Sequence, residues 1–245
     1  DGDWAKEMEE WGEKFGEQFG EEWEDKMEKH GRLLEEKLEK HEGNFLNNSK
    51  NNKVIKTIKI KMPKDTKLKL NVRHGELKIV SVIHNLKADL SHSTLFAESI
   101  NGSNTSINAS YTPVLVTNWN AGELKLNYVD KALLKNVKAL ILYSNSSNVN
   151  IDYLSGNSII EGSFGDLTIH NILDSFNNLN VVLENSDALI KLPKTNFNLQ
   201  YKGSHTRFQH PDKKTNENTS TFSTGNLNSN KTIVINAKYS NVVMQ

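Results

Sequence analysis

The sequence contains no cysteine, only four prolines and only 8% aromatic residues. Without cysteine the chain has no disulfides, no thiolate metal ligands and no cysteine nucleophile. No apolar run reaches the roughly 18 residues of a membrane-spanning helix, so we expect no such span. Gly-x-Ser-x-Gly, a phosphate-binding loop and a dinucleotide-binding fingerprint are also missing. These absences remove several common enzyme classes and favour a non-catalytic protein.

Histidines and aspartates are present, but they do not cluster along the sequence. No His-Glu-x-x-His motif occurs, and we expect all eight histidines to be solvated at the surface: His30, His41, His74, His84, His92, His170, His205 and His210. The aspartates of the body occur singly, mostly beside turns, at Asp89, Asp130, Asp152, Asp166, Asp174 and Asp187. We therefore predict no catalytic, metal-binding or cofactor-binding residues. Two aspartates could still converge on neighbouring coils, as in solenoid polysaccharide lyases that bind calcium.

Formal neutrality hides a strongly acidic beginning. Residues 1–43 hold 16 acidic and 7 basic residues, a net charge of −9, and the remainder carries +9. Aromatic and methionine residues recur there every three or four positions from Trp4 to Met27, which is helical spacing. We predict a long amphipathic helix, a hinge at His30-Gly31 and a short second helix. Residues 1–43 thus form an acidic leader or cap, and 44–245 form a separate β domain.

The aromatic stripe of this leader is the predicted partner-binding surface, made of Trp4, Trp11, Phe15, Phe19 and Trp23. Besides disorder of this segment in isolation, it has two interpretations. The helix packs on the chain's own β body, where it can cap one end, or it docks on another protein or a second copy. The second interpretation makes a homo-oligomer through the helix possible.

Beyond Gly43 the composition changes, and all 32 asparagines lie there. Apolar residues alternate with polar ones at Ile58, Ile60 and Met62, and again at Leu68, Leu70 and Val72, with a turn at Pro63 between the two runs. Short alternating segments then return about every nine or ten residues, separated by Asn, Ser, Gly and Asp. The pattern predicts a mostly β domain of many short strands.

Internal repeats indicate how these strands are arranged. A Gly-acid-Leu unit recurs at Gly75, Gly122 and Gly165, and "INASYTPVLV" at Ile107 closely matches "INAKYSNVVM" at Ile235. Short repeated units that cannot bury their own apolar face are typical of a stacked β-solenoid. We predict a single β-solenoid rather than a β-sandwich, with the two "INA" strands in equivalent places and their Ile and Ala side chains directed inward.

The polar stretch from Tyr201 to Lys231 predicts an exposed hairpin or excursion, after which the last coil closes the stack. Lysines alternate along residues 53–78, which predicts a basic face. Aromatic side chains do not interleave with these lysines, so we do not expect nucleic-acid binding.

The body resembles the adhesin-like β-repeat family of bacterial envelope proteins, which is related to solenoid adhesin heads. The resemblance rests on "IKIKMPKDTKLKLNVRHGELKIV", the Gly-acid-Leu units, the closing "INAKYSNVVM" and the leader "WAKEMEEWGEKFGEQF". It implies a secreted, periplasmic or surface protein without established catalysis. Because the sequence starts at Asp1 without a charged-then-apolar leader, we expect a form from which any targeting segment has been removed.

We therefore expect a non-enzymatic adhesin-like or scaffold protein that binds protein or glycan and needs no cofactor. Two alternatives remain: an envelope-stress regulatory partner that docks through its helix, and a carbohydrate-active solenoid enzyme.

Overall fold

The computed structural model describes residues 57–63, 66–213, 220–226 and 228–245. Within these ranges the chain forms seventeen β-strands and no helix. The solenoid belongs to the compact unit Ile60–Gln245. The strands are β1 (Lys69–Arg73), β2 (Glu76–His84), β3 (Lys87–Ser91), β4 (Thr94–Asn101), β5 (Ser106–Ser110), β6 (Val114–Trp119), β7 (Gly122–Asn127), β8 (Ala132–Asn145), β9 (Val149–Ser163), β10 (Asp166–Ile169), β11 (Ile172–Glu184), β12 (Asp187–Ile190), β13 (Asn198–Ser204), β14 (Arg207–Gln209), β15 (Thr221–Gly225), β16 (Thr232–Lys238) and β17 (Asn241–Met244).

The mostly β, single-solenoid prediction is confirmed, because nearly every strand pairs in parallel with the equivalent strand of the next coil. Two long faces result. Face 1 contains β1, β3, β5, β7, the second halves of β8, β9 and β11, then β16 and β13. Face 2 contains β2, β4, β6, the first halves of β8 and β9, then β10, β12, β17 and β14. A β-sandwich, the competing prediction, is excluded by this in-register parallel stacking.

The core is a set of thin apolar rows that run along the stack. Alternate residues of each strand point inward, so each coil adds about two aliphatic side chains per face. On face 1 the buried row includes Ala88, Ile107, Leu124, Leu142 and Ile160, each at most 2% exposed. Because like residues lie above like residues, burial is continuous although each strand is short.

A left-handed corner joins face 1 to face 2 in every coil. Nine consecutive coils place a non-glycine residue there with a φ of about 50°: His74, His92, Tyr111, Tyr128, Ser146, Phe164, Asn185, Tyr239 and His205, in spatial order. The N–H of each of the first eight corner residues donates to the carbonyl of the residue that precedes the next corner, for example Tyr111 to Asn127 at 3.0 Å. This corner ladder costs about 1–2 kcal/mol per residue in backbone strain, which the ladder hydrogen bonds and ring stacking oppose.

The two matching ten-residue segments do occupy equivalent places, as predicted. Ile107 and Ile235 lie on face 1 strands and are fully buried. Tyr111 and Tyr239 are the corresponding corner residues. The repeat therefore encodes one strand, one corner and the start of the next strand.

The Gly-acid-Leu units are not all equivalent, which corrects the sequence interpretation. Gly75 and Gly165 directly follow corner residues and lead into face 2 strands β2 and β10. Gly122 instead begins β7 on face 1, at the opposite edge. Its φ is +138°, and an added Cβ would lie 2.6 Å from Thr105 Cβ. The same three-residue pattern occurs at both edges of the coil, because the chain enters a strand through a tight turn at each edge.

The predicted strand through Ile58, Ile60 and Met62 is wrong. Residues 57–63 carry no strand, and Ile58 and Ile60 are 84% and 65% exposed. Thr66 N–H donates to the Pro63 carbonyl at 3.2 Å, and the other two residues of the predicted turn lie outside the described residues. Alternation of apolar residues makes a strand favourable only when a neighbouring strand supplies hydrogen-bond partners, and none of the described residues pairs with this segment.

The last coil does not close the stack, which is a second correction. The face 1 strand β16 lies between β11 and β13, and the face 2 strand β17 lies between β12 and β14. The chain therefore leaves one layer empty, builds the outermost coil from β13 and β14, and returns to fill the gap. The hairpin prediction holds in part, since β15 pairs antiparallel with β13. Tyr201, however, is buried rather than exposed.

This inserted layer predicts an unusual response to truncation. Deleting residues 232–245 removes β16 and β17, and the outermost coil then loses the partner between it and β11. Hydrogen exchange should show lost protection in β13 and β14 as well, while β3 to β7 stay protected. Preserved protection in β13 and β14 would contradict the insertion.

Candidate functional site

A groove of about 780 Å³ runs along the edge where each coil enters face 1. It crosses the strands at right angles over six coils, so it is roughly 24 Å long at the usual 4.8 Å strand spacing. Its lining is Lys67, Leu68, Lys69, Asn85, Lys87, Ser103, Asn104, Thr105, Ser106, Ala121, Gly122, Glu123, Ala139, Leu140, Ile141, Asn157 and Ile159. The outward side chains change along it from basic, through polar, to aliphatic.

The aliphatic end of the groove continues into an exposed apolar patch. Ile141 and Ile159 are register partners on neighbouring strands and are 40% and 42% exposed. Tyr143 and Val182 lie in the next outward column, on either side of Glu161, and are 37% and 40% exposed. These are outward positions that a solvated sheet would fill with polar residues. Exposed aliphatic and aromatic side chains on neighbouring strands mark a surface that can bind a partner.

The charged residues of the groove centre are already paired. Glu123 accepts from Ser106 Oγ at 3.1 Å and lies 2.9 Å from Lys125 Nζ, and the hydrogen bond to Lys125 lowers the pKa of that carboxyl. Lys125 Nζ also lies 5.5 Å from the centre of the Tyr143 ring. The interactions of Lys125 with Glu123 and Tyr143 thus order the middle of face 1, and the lowered pKa of Glu123 favours its ionised form.

Aromatic rings stack along the first part of the corner ladder. His92 and Tyr111 lie 4.8 Å apart, and Tyr111 and Tyr128 lie 5.2 Å apart, each pair nearly parallel. Tyr111 and Tyr128 are both 51% exposed. Because neighbouring rings cover each other's faces, this ladder presents ring edges to solvent. It is better suited to stiffening the corner than to stacking against a sugar.

One acidic pair does converge on neighbouring coils, as the sequence allowed. Asp166 and Asp187 are register partners at the start of β10 and β12, and burial, then the charge of Asp187, raises the pKa of Asp166. Burial also raises the pKa of Asp152, against the nearby charges of His170 and Lys135. Among the described residues, no group of three or more His, Asp or Glu side chains could hold a metal ion.

The prediction that all histidines are solvated is wrong for His210. It follows β14 at an inward position and is only 7% exposed, near Phe208 and Phe222 at centroid distances of 6.3 Å and 5.0 Å. Its Nδ1 accepts from Asp212 N–H at 3.1 Å. The alternation in "FQH" after the strand start could have indicated this, because it places Phe and His on the same face.

The predicted partner-binding residues Trp4, Trp11, Phe15, Phe19 and Trp23 lie outside the described residues, as does the predicted leader 1–43. Sequence reasoning missed the apolar patch. A signal existed in "ALILYSN" at Ala139 and "SIIEG" at Ser158, where adjacent apolar residues break the alternation and put aliphatic side chains on both sides of the strand. Among the described residues, no helical segment has the length and apolarity to cross a bilayer.

A family model described as Toastrack DUF4097 matches residues 18–242. The chain belongs to the Toastrack DUF4097 family. Comparisons with curated proteins and with solved structures found no match. Membership of the Toastrack family agrees with the solenoid and with the repeats, and it assigns no activity to the groove.

The buried His210 makes the terminal coil of this Toastrack domain sensitive to acid. Burial lowers the pKa of His210 from its ordinary value of 6.5, against a smaller opposing effect of Asp212. The unfolded chain therefore binds a proton at His210 more readily than the folded chain does. The contribution of neutral His210 to the free energy of unfolding is complete above about pH 6.5 and is lost as the pH falls below that value. We expect His210→Leu to lose less stability than the wild type between pH 7 and 5.

The measurement is the denaturant midpoint at each pH. Carboxyls with a raised pKa change the stability in the opposite direction as the pH falls. Their contribution is the same in the variant and the wild type, so it cancels in the difference between the two. Identical pH profiles would show that His210 is not buried in its neutral form.

Proposed function

We propose that this protein is a non-enzymatic, adhesin-like or scaffold protein of the cell envelope or secreted space, and that it binds a protein or glycan partner along the face 1 groove. The exposed patch of Ile141, Ile159, Tyr143 and Val182 carries the proposal. These side chains lie on strands that are paired on both sides, so the surface is rigid before a partner arrives. A preformed surface reduces the entropy cost of binding.

The chemistry of the groove supports binding rather than catalysis. Glu123, the one carboxylate among the described groove residues, has a lowered pKa and is held by Lys125 and Ser106. A general acid needs a carboxyl whose pKa lies near the working pH. The carboxyls with raised pKa, Asp152 and Asp166, do not line the groove. The resemblance to envelope proteins supports the proposed location.

A carbohydrate-active enzyme is the second candidate, and the neighbouring Asp166 and Asp187 favour it. Turnover on a panel of acidic and neutral polysaccharides, with calcium present, would establish this activity if Asp166→Asn and Asp187→Asn abolished it. An envelope-stress regulatory role through residues 1–43 remains a third proposal, separate from the groove.

The binding proposal predicts that the patch is required. We expect Ile141→Glu and Ile159→Glu, singly, to weaken binding at least tenfold, because each places a charge in the apolar contact. The measurement is binding to a glycan array and to immobilised purified envelope proteins, with titration of each hit. Leu173→Glu is the matched control, since Leu173 is 41% exposed and lies outside the groove. Groove variants that bind every hit like the wild type would refute the proposal.

A further inference from the structure

The first coil of the solenoid has a strand edge, on β1, that no other described strand pairs with. Within the described residues, β1 pairs only with β3. Leu68 O accepts from Lys87 N–H at 2.9 Å, and His74 N–H donates to Ser91 O at 3.2 Å. In a parallel ladder alternate residues bond to the same neighbour, so the even-numbered residues of β1 face β3. The backbone N–H and C=O groups of Lys69, Asn71 and Arg73 therefore point away from the stack.

The apolar row is also incompletely covered at this end. Leu70 and Val72 of β1 are only partly buried, whereas Ala88 and Leu90, their register partners in the next coil, are each 2% exposed. The side chains themselves point inward as in every other coil. The difference arises because none of the described residues adds a layer beyond β1. A strand placed there would pair with backbone groups that no described residue pairs with, and it would cover the partly buried Leu70 and Val72.

The opposite end of the same molecule shows how this fold closes an edge. There β15 pairs antiparallel with β13, with Tyr201 opposite Phe222. The Phe222 ring lies 5.4 Å from Phe208, so the added strand also covers the end of the apolar core. An extended segment with inward apolar residues is thus the kind of element that caps this solenoid.

Charge determines which strand fits the open edge. Lys67, Lys69, Arg73 and Lys87 are exposed around it. The nearby Asp89 already accepts a hydrogen bond from Asn108 Nδ2 at 2.7 Å. Antiparallel pairing of two β1 edges would bring Lys69 of one copy opposite Arg73 of the other, and like charges in that position are destabilising. The basic rim therefore opposes a second copy and favours an acidic strand.

We propose that the outer edge of β1 binds an extended segment of a partner protein in which apolar and acidic residues alternate. The partner's backbone pairs with Lys69, Asn71 and Arg73, its apolar side chains cover Leu70 and Val72, and its carboxylates meet the basic rim. This edge is distinct from the patch on face 1, so the two surfaces can be tested separately.

The test uses the full chain and a labelled ten-residue peptide of alternating Val and Glu. We expect Asn71→Pro to weaken peptide binding at least tenfold, because proline removes an outward N–H without removing a ladder hydrogen bond. Lys69→Glu should weaken binding through charge, with a matched change at Lys202→Glu on β13 having no effect. A Val/Lys peptide and a peptide with alternate N-methylated amides should each bind at least tenfold more weakly.

Three results would overturn the proposal. The first is the absence of binding at millimolar peptide. The second is equal binding by the wild type and Asn71→Pro. The third is slow hydrogen exchange at the Lys69, Asn71 and Arg73 amides of the peptide-free chain, since the edge would then already be occupied. If that protection depends on protein concentration and vanishes in Asn71→Pro, the occupant is a second copy. Far-ultraviolet circular dichroism of each variant checks that the solenoid is intact.

Discussion

Parallel, in-register pairing between successive coils is the interaction on which this structure depends. Each coil contributes only a few aliphatic side chains, and these are buried because an equivalent coil lies on each side. The corner ladder fixes where the chain turns, so the faces stay aligned over the whole stack. A segment that lacks such neighbours among the described residues does not form a strand, as residues 57–63 illustrate.

Much of the fold could be predicted because the repeats encode local geometry. The two "INA" segments specify an inward Ile and Ala, a corner Tyr and the next inward Val, and the structure places both copies accordingly. The Gly-acid-Leu unit misled because it reports a tight strand entry, and each coil has two edges where such an entry is needed. The local sequence therefore predicts that a strand begins at such a unit, but not which of the two edges of the coil the unit occupies.

The order of the coils could not be predicted from the repeats. Strands β16 and β13 have similar alternation, and neither carries a residue that specifies which is outermost. The order is decided by the whole end of the molecule. The ring cluster of Tyr201, Phe208, His210 and Phe222 can only be covered where β15 folds over the outermost coil. Because the order of the coils depends on contacts between residues far apart in the sequence, the periodic pattern of apolar residues does not reveal it.

The surfaces also divide into a part that repeats from coil to coil and a part that does not. Inward residues repeat because stacking buries equivalent positions in every coil, while outward residues vary from coil to coil. Face 1 changes from lysines to isoleucines along the groove, and this gradient is visible only after the register aligns residues far apart in sequence. In this Toastrack protein the inward columns build the stack, and the outward columns carry the variation in surface chemistry.

The order of the coils is tested most directly by cysteine pairs, because the chain has no cysteine of its own. Asn236 is the register partner of both Val182 and Lys202. Adjacent strands bring Cα atoms within disulfide range, whereas Val182 and Lys202 are two strand spacings apart, roughly 9.6 Å. The account predicts rapid disulfides for Val182→Cys with Asn236→Cys and for Lys202→Cys with Asn236→Cys. A disulfide between positions 182 and 202, with none to 236, would contradict it.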